Sequence, residues 1–155
     1  MTEAAFPELP QKEAAIQFFS EDIDFEYPTP QIAQAWIEKV IELENCQLAS
    51  VLNYIFCSDQ YLHNLNIEYL NHDTLTDIIT FPYSQPPLIS GDIFISISRV
   101  RANAQQYQVP FQTELHRVMI HGILHLCGYL DKSTEEQQKM RSKENSSLEL
   151  LSNYF

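Results

Sequence analysis

Residues 121–131 read His-Gly-Ile-Leu-His-Leu-Cys-Gly-Tyr-Leu-Asp, and this run constrains the chain more than any other. His121 and His125 stand four residues apart, so on a helix both rings lie on one face, one turn apart. Gly128 follows and can take the left-handed backbone conformation that ends a helix. Asp131, three residues further on, then returns toward the two rings. A fold that accepts this run must stop a helix beside its histidines and turn the chain back over them. Two imidazoles and a carboxylate make a three-ligand site with an open coordination position, the arrangement of catalytic zinc. Helical His pairs are common without a metal. The helix-ending Gly and the returning carboxylate decide for a zinc ion held by His121, His125 and Asp131.

The spacing looks like that of metzincin proteases, where Glu follows the first His and serves as general base. Here that position is Gly122, which can move no proton. A peptidase would need its base from elsewhere.

The 155 residues are expected to form one domain over residues 1–155, large enough for a hydrophobic core. No segment has the length and apolarity of a membrane span, and the start of the chain lacks the basic and apolar runs of a signal peptide. Three cysteines are too few and odd in number for a disulfide framework. These features predict a cytoplasmic protein with no membrane partner. The net charge of −12 argues against nucleic-acid binding through a generally basic surface. Residues 1–98 hold only Lys12 and Lys39 against fifteen acids, whereas residues 99–155 hold seven bases against six. A polyanion therefore has a place to dock only near the His-rich run, although such charges also serve simply to solvate helices.

Apolar spacing and cap residues predict the order β-α-β-α-β-β-α-α-α. Strands are expected over Ala15–Phe19 with Ile23–Phe25, Leu48–Cys57, Thr76–Phe81 and Gly91–Ile97. Helices are expected to start at Thr29-Pro30, at Ser58-Asp59, at Ser98, at Pro110 and at the Ser133–Glu136 capping box. This is an α+β fold: a small mixed four-stranded sheet packed with about five helices, the metal site at the end of a central helix. On that helix Phe111, Leu115, Val118, Met119 and Leu126 form a core stripe. Glu114, Arg117, His121 and His125 follow a separate polar stripe, and Gly122 permits close packing on the sheet.

With those residues in view, the chain resembles the YbeY family of metal-dependent endoribonucleases. The family pattern H-G-x-L-H-L-x-G-Y-D-H meets His121-Gly122-Ile-Leu124-His125-Leu126-Cys-Gly128-Tyr129-Leu130-Asp131. Thr76-Asp77-Ile-Ile-Thr-Phe81 and Gly91-Asp92-Ile93 match a second family segment, and Asn66, Tyr69 and Glu114-Leu115 extend the likeness in collinear order over about residues 60–145. The resemblance implies cleavage of single-stranded RNA, maturation of the 3′ end of small-subunit ribosomal RNA, and ribosome quality control. It implies one zinc ion on His121, His125 and, by position, Asp131. The acidic surface makes basic small-subunit ribosomal proteins candidate partners. Two departures bear on chemistry. Asp131 stands where the family has a third His, which makes the ligand set more negative and predicts a higher pH optimum than in three-histidine relatives. Leu70 stands where the family has an Arg that meets phosphate, and Arg117 is the candidate replacement. The alternative for Arg117 is an ion pair with Glu114.

Asp77 and Asp92 are candidate acceptors for the free N–H of a ligand His, or else partners of loop backbone. Cys127 is expected as a buried thiol and Tyr129 as a base-stacking or packing residue. His63, His72 and His116 are expected off the site. Two rival readings remain open: a metallohydrolase of another substrate, and a non-catalytic, zinc-stabilised ribosome-assembly factor that binds basic ribosomal proteins through its acidic face.

Overall fold

A computed structural model describes residues 14–155. Its elements are β1 (Ala15–Ser20), α1 (Pro30–Leu43), β2 (Gln47–Cys57), α2 (Asp59–Leu70), β3 (Ile78–Pro82), β4 (Leu88–Ser96), α3 (Ile97–Tyr107), α4 (Phe111–Leu126) and α5 (Thr134–Leu151), with a 3-10 turn over Ser152–Tyr154. The strand order is β1-β2-β4-β3. β1 and β4 both run parallel to β2, and β3 pairs antiparallel with β4 at the edge. The fold is α+β, as the patterning predicts. Among the described residues no helix is long and apolar enough to cross a membrane.

Strand alternation sorts side chains between two cores. Leu52, Tyr54 and Phe56 of β2 and Ile93 and Ile95 of β4 face α1 and α4 in the larger cluster. Ile79, Phe81 and Phe94 point the other way and pack with Leu62 of α2 in the smaller one. Period-two strands buried on both faces need this continuous apolarity. α4 is more deeply enclosed than its expected stripe: Ile120, Ile123 and Leu124 are buried as well, because α1, α3 and α5 all pack on it. Gly122 is the close approach to the sheet. A Cβ there would stand 3.0 Å from the Ile78 side chain and 3.1 Å from Ile93.

Apart from shifts of one or two residues, as at β3, which starts at Ile78 and not Thr76, three expectations differ. Ile23–Phe25 is not a strand; beyond Glu21, whose N–H still bonds the Phe56 carbonyl, the segment has no ladder partner, and Phe25 instead packs edge-on against Phe56 and Phe111. β4 begins at Leu88, paired with Gln47. It runs through Ser96, and Ser96, not Ser98, caps α3 by accepting the Arg99 N–H at 3.1 Å.

Candidate metal centre

α4 ends where Gly128 takes φ +106°. Its N–H bonds the His125 carbonyl and the Tyr129 N–H bonds the Leu124 carbonyl, each at 3.0 Å, so the chain reverses within one turn. Asp131 comes back beside the rings as the spacing requires. Its Oδ2 lies 3.3 Å from His121 Nε2 and 3.2 Å from His125 Nε2. One donor atom from each of the three residues falls within 4.8 Å of the others.

What the other ring nitrogens do decides the chemistry. His125 Nδ1 lies 2.9 Å from the Tyr129 carbonyl oxygen, which can only accept, so Nδ1 carries the proton. His121 Nδ1 lies 2.7 Å from Oε2 of Glu144. Burial works against the charge of that carboxylate, yet hydrogen bonds from His121 and Arg117 outweigh it and hold its pKa below the usual value. An ionised carboxylate accepts, so His121 Nδ1 also carries the proton. Each Nε2 then faces the Asp131 carboxylate, an arrangement that favours a cation shared between them, whether proton or metal. Four tetrahedral ligands bonded at ~2.0–2.1 Å stand about 3.3 Å apart, which is the spacing of Asp131 Oδ2 from each of the two Nε2 atoms. The set fits a zinc-like cation.

Glu144 is the residue that the sequence reading missed. It comes from α5, is buried, and receives Arg117 Nη1 at 3.0 Å and Arg141 Nη1 at 3.6 Å. A signal exists in the sequence: Met140, Glu144, Ser147 and Leu151 are the buried positions of α5 at helical spacing, and an acid in a buried stripe needs a cationic partner. For His121 burial opposes protonation, but Glu144, Asp131 and Asp77 together raise its pKa.

Several expected roles change. Arg117 pairs with Glu144 and not with Glu114. Asp77 does not reach a ligand His; it accepts from Asn103 Nδ2 at 3.2 Å, and burial raises its pKa. Asp92 lies on β4 with Asn53 and Tyr83 and takes no part in the site. Tyr129 packs: its hydroxyl donates to Glu44 at 2.5 Å, and Lys139 and Lys143 lie over its ring. Cys127 is half-buried and not fully buried as expected, though burial still pushes its thiol pKa up. His116 points away from the site into the core, its Nε2 2.6 Å from the Tyr27 hydroxyl. His63 pairs with Asp73. Exposed Leu70 and His72 line a cleft of about 440 Å³ that reaches His121, His125 and Asp131. Two further cavities, about 770 Å³ along α5 and 280 Å³ toward α3, also meet at His121 and Asp131. The three donors sit where these clefts converge.

The family model described as endoribonuclease YbeY matches residues 15–152. A protein of Amoebophilus asiaticus named endoribonuclease YbeY is 55% identical over 133 residues, covering 85% of this chain and 90% of that one. One of the same name from Flavobacterium psychrophilum is 53% identical, covering 86% and 94%. The solution structure of a Thermotoga maritima protein superposes with a TM-score of 0.62 at 26% identity, covering 88% of this chain and 89% of its own.

Proposed function

The chain belongs to the endoribonuclease YbeY family, and from that membership we propose that it cleaves phosphodiester bonds of single-stranded RNA at the His121–His125–Asp131 centre. The biological substrate in this reading is ribosomal RNA, at the 3′ end of the small-subunit species, with a role in ribosome quality control. The protein works in the cytoplasm as a single domain over residues 1–155, and small-subunit ribosomal proteins are its partners. The observation that carries the reading is that Nδ1 of each ring contacts an acceptor, Glu144 for His121 and the Tyr129 carbonyl for His125, while both Nε2 atoms face the Asp131 carboxylate.

A bound zinc ion would supply Lewis-acid stabilisation of charge developing on a phosphoryl oxygen. His121, His125 and Asp131 would hold that ion and leave a position open. Glu144 holds the His121 ring in one orientation and tautomer. Arg117 and Arg141 cancel the charge of Glu144, so a phosphate entering the cleft does not meet a bare carboxylate there. Gly122 supplies no general base.

The test follows a labelled single-stranded RNA with wild-type protein and with His121→Ala purified in parallel, each with and without added zinc after chelation. Cleavage that needs both His121 and the metal is the expected outcome. Equal cleavage by both proteins would identify a contaminant. No cleavage by either overturns the nuclease reading in favour of the assembly role.

A further inference from the structure

The 280 Å³ cavity beside the metal centre is walled by α3, α4, α5 and the residues leading into β3. It holds a group that the site described above leaves unused. Glu114 lines it, is only 5% exposed, and stands one turn before Arg117 on α4. Arg117 turns its guanidinium to Glu144. Among the described residues no hydrogen bond or ion pair reaches the Glu114 carboxylate. Its oxygens open onto the cavity and are not sealed from solvent, so a ligand that brings donors can reach them.

The walls limit what the ligand is. Asp77, Asp131 and Glu144 line the cavity with Glu114, against Arg117 and Arg141, so the lining stays net negative and disfavours a phosphate. A second cation is equally unsuited. Among the described residues the only group of three ligand atoms within 4.8 Å is that of His121, His125 and Asp131, so the cavity carboxylates converge on no single point. The space instead suits one flat heterocycle, with Ile78 and Val118 as apolar walls and a volume near the lower end of the ~300–1,000 Å³ usual for ligand pockets. Asn103 donates its Nδ2 to Asp77, which leaves its Oδ1 as a further acceptor. Arg117 lines the cavity as well, and its N–H groups not engaged by Glu144 are free to donate.

We infer that this cavity is a base-reading subsite for guanine, with Glu114 accepting from the Watson–Crick edge. This rests on the nuclease reading for its context, since the cavity shares His121 and Asp131 with the metal centre. Guanine alone among the four bases presents two adjacent N–H donors, at N1 and N2, which match the two oxygens of one carboxylate. Its O6 acceptor faces the Arg117 side, as in other guanidinium contacts to guanine. Single-stranded RNA exposes such edges for reading, whereas a duplex hides them. The subsite would place a guanosine beside the scissile phosphate and select the cleavage position.

The test uses free nucleosides, which contain no phosphodiester bond and report on the cavity whether or not the protein cleaves RNA. Guanosine, inosine and adenosine are titrated into the zinc-loaded full chain and followed by NMR. Inosine lacks only the 2-amino group, so this comparison needs no mutation. Guanosine is expected to bind about ten- to a hundredfold more tightly than inosine, the loss of one hydrogen bond to a charged acceptor. The resonances of Asn103 and Val118 are expected to move. In Glu114→Gln, which keeps the side-chain volume and whose spectrum checks the fold, the guanosine preference is expected to vanish. Equal affinity for all three nucleosides, shifts confined to other surfaces, or a preference that survives in Glu114→Gln would each overturn the subsite. If guanosine selectivity appears while the RNA test finds no cleavage, the nuclease reading fails and the subsite stands.

Discussion

His116 and His121 lie five residues apart on α4, and their surroundings give them opposite proton chemistry. His116 is buried against Tyr27 and edge-on to Trp36. Burial pushes its pKa down to about 4, only partly offset by a backbone hydrogen bond at Gln112. His121 is half-buried, and burial opposes its charge too, yet the carboxylates around it win and its pKa is raised. Each ring has a short polar contact, 2.6 Å to a phenol in one case and 2.7 Å to a carboxylate in the other. A neutral partner leaves desolvation in charge, whereas an ionised partner overrides it. One helix thus carries a histidine that holds the core together and another prepared for a cation.

The largest expected effect comes from removing what distinguishes the two. Glu144→Ala leaves Arg117 and His121 facing a buried gap and should cost about 3–5 kcal/mol of stability, measured by denaturant titration. Glu144→Gln should keep the fold better but weaken zinc binding by about 10–100-fold, read by competition with a chelating dye. Unchanged zinc affinity in Glu144→Gln would end the claim that Glu144 orients His121.

On the core side, the folded-state pKa of His116 lies below the value near 6.5 expected when unfolded. The unfolded chain therefore binds the proton more readily, and stability falls as pH drops from about 6.5 to about 4 while staying flat above. The full difference is about 3 kcal/mol. Urea midpoints across that range should show the slope in wild-type protein, and His116→Phe should remove this contribution. A slope of the same size in both would mean that other groups carry it.

Gly122→Ala separates packing from chemistry. Its Cβ would press on Ile78 and Ile93, and about 1–3 kcal/mol of stability should be lost, visible as a lower melting temperature. The smallest effect is expected from Asp131→His, which should leave zinc bound and move the pH profile of cleavage to lower pH, because the ligand set loses a negative charge. An unmoved profile would show that the third ligand does not set it.

Local residue order was enough for the local events. A helix ending in Gly128 with Asp131 returning is written within eleven residues, because helical periodicity and the left-handed freedom of glycine act over one or two turns. Caps at Ser58 and Ser133 were legible for the same reason, and so were the element order and the close packing at Gly122. Short-range physics left the cap of α3 open between two identical serines, and only the pairing of Ser96 with Cys57 of β2 extended the strand far enough to choose. Ile23–Phe25 had the composition of a strand but no ladder to join. Glu144 lies 23 residues from His121, and no local rule links them. The packing of α5 on α4 brought that carboxylate to one imidazole and kept it from the other. This tertiary contact, and not the residue type, decided which histidine turns its Nε2 toward Asp131 and which stays neutral in the core.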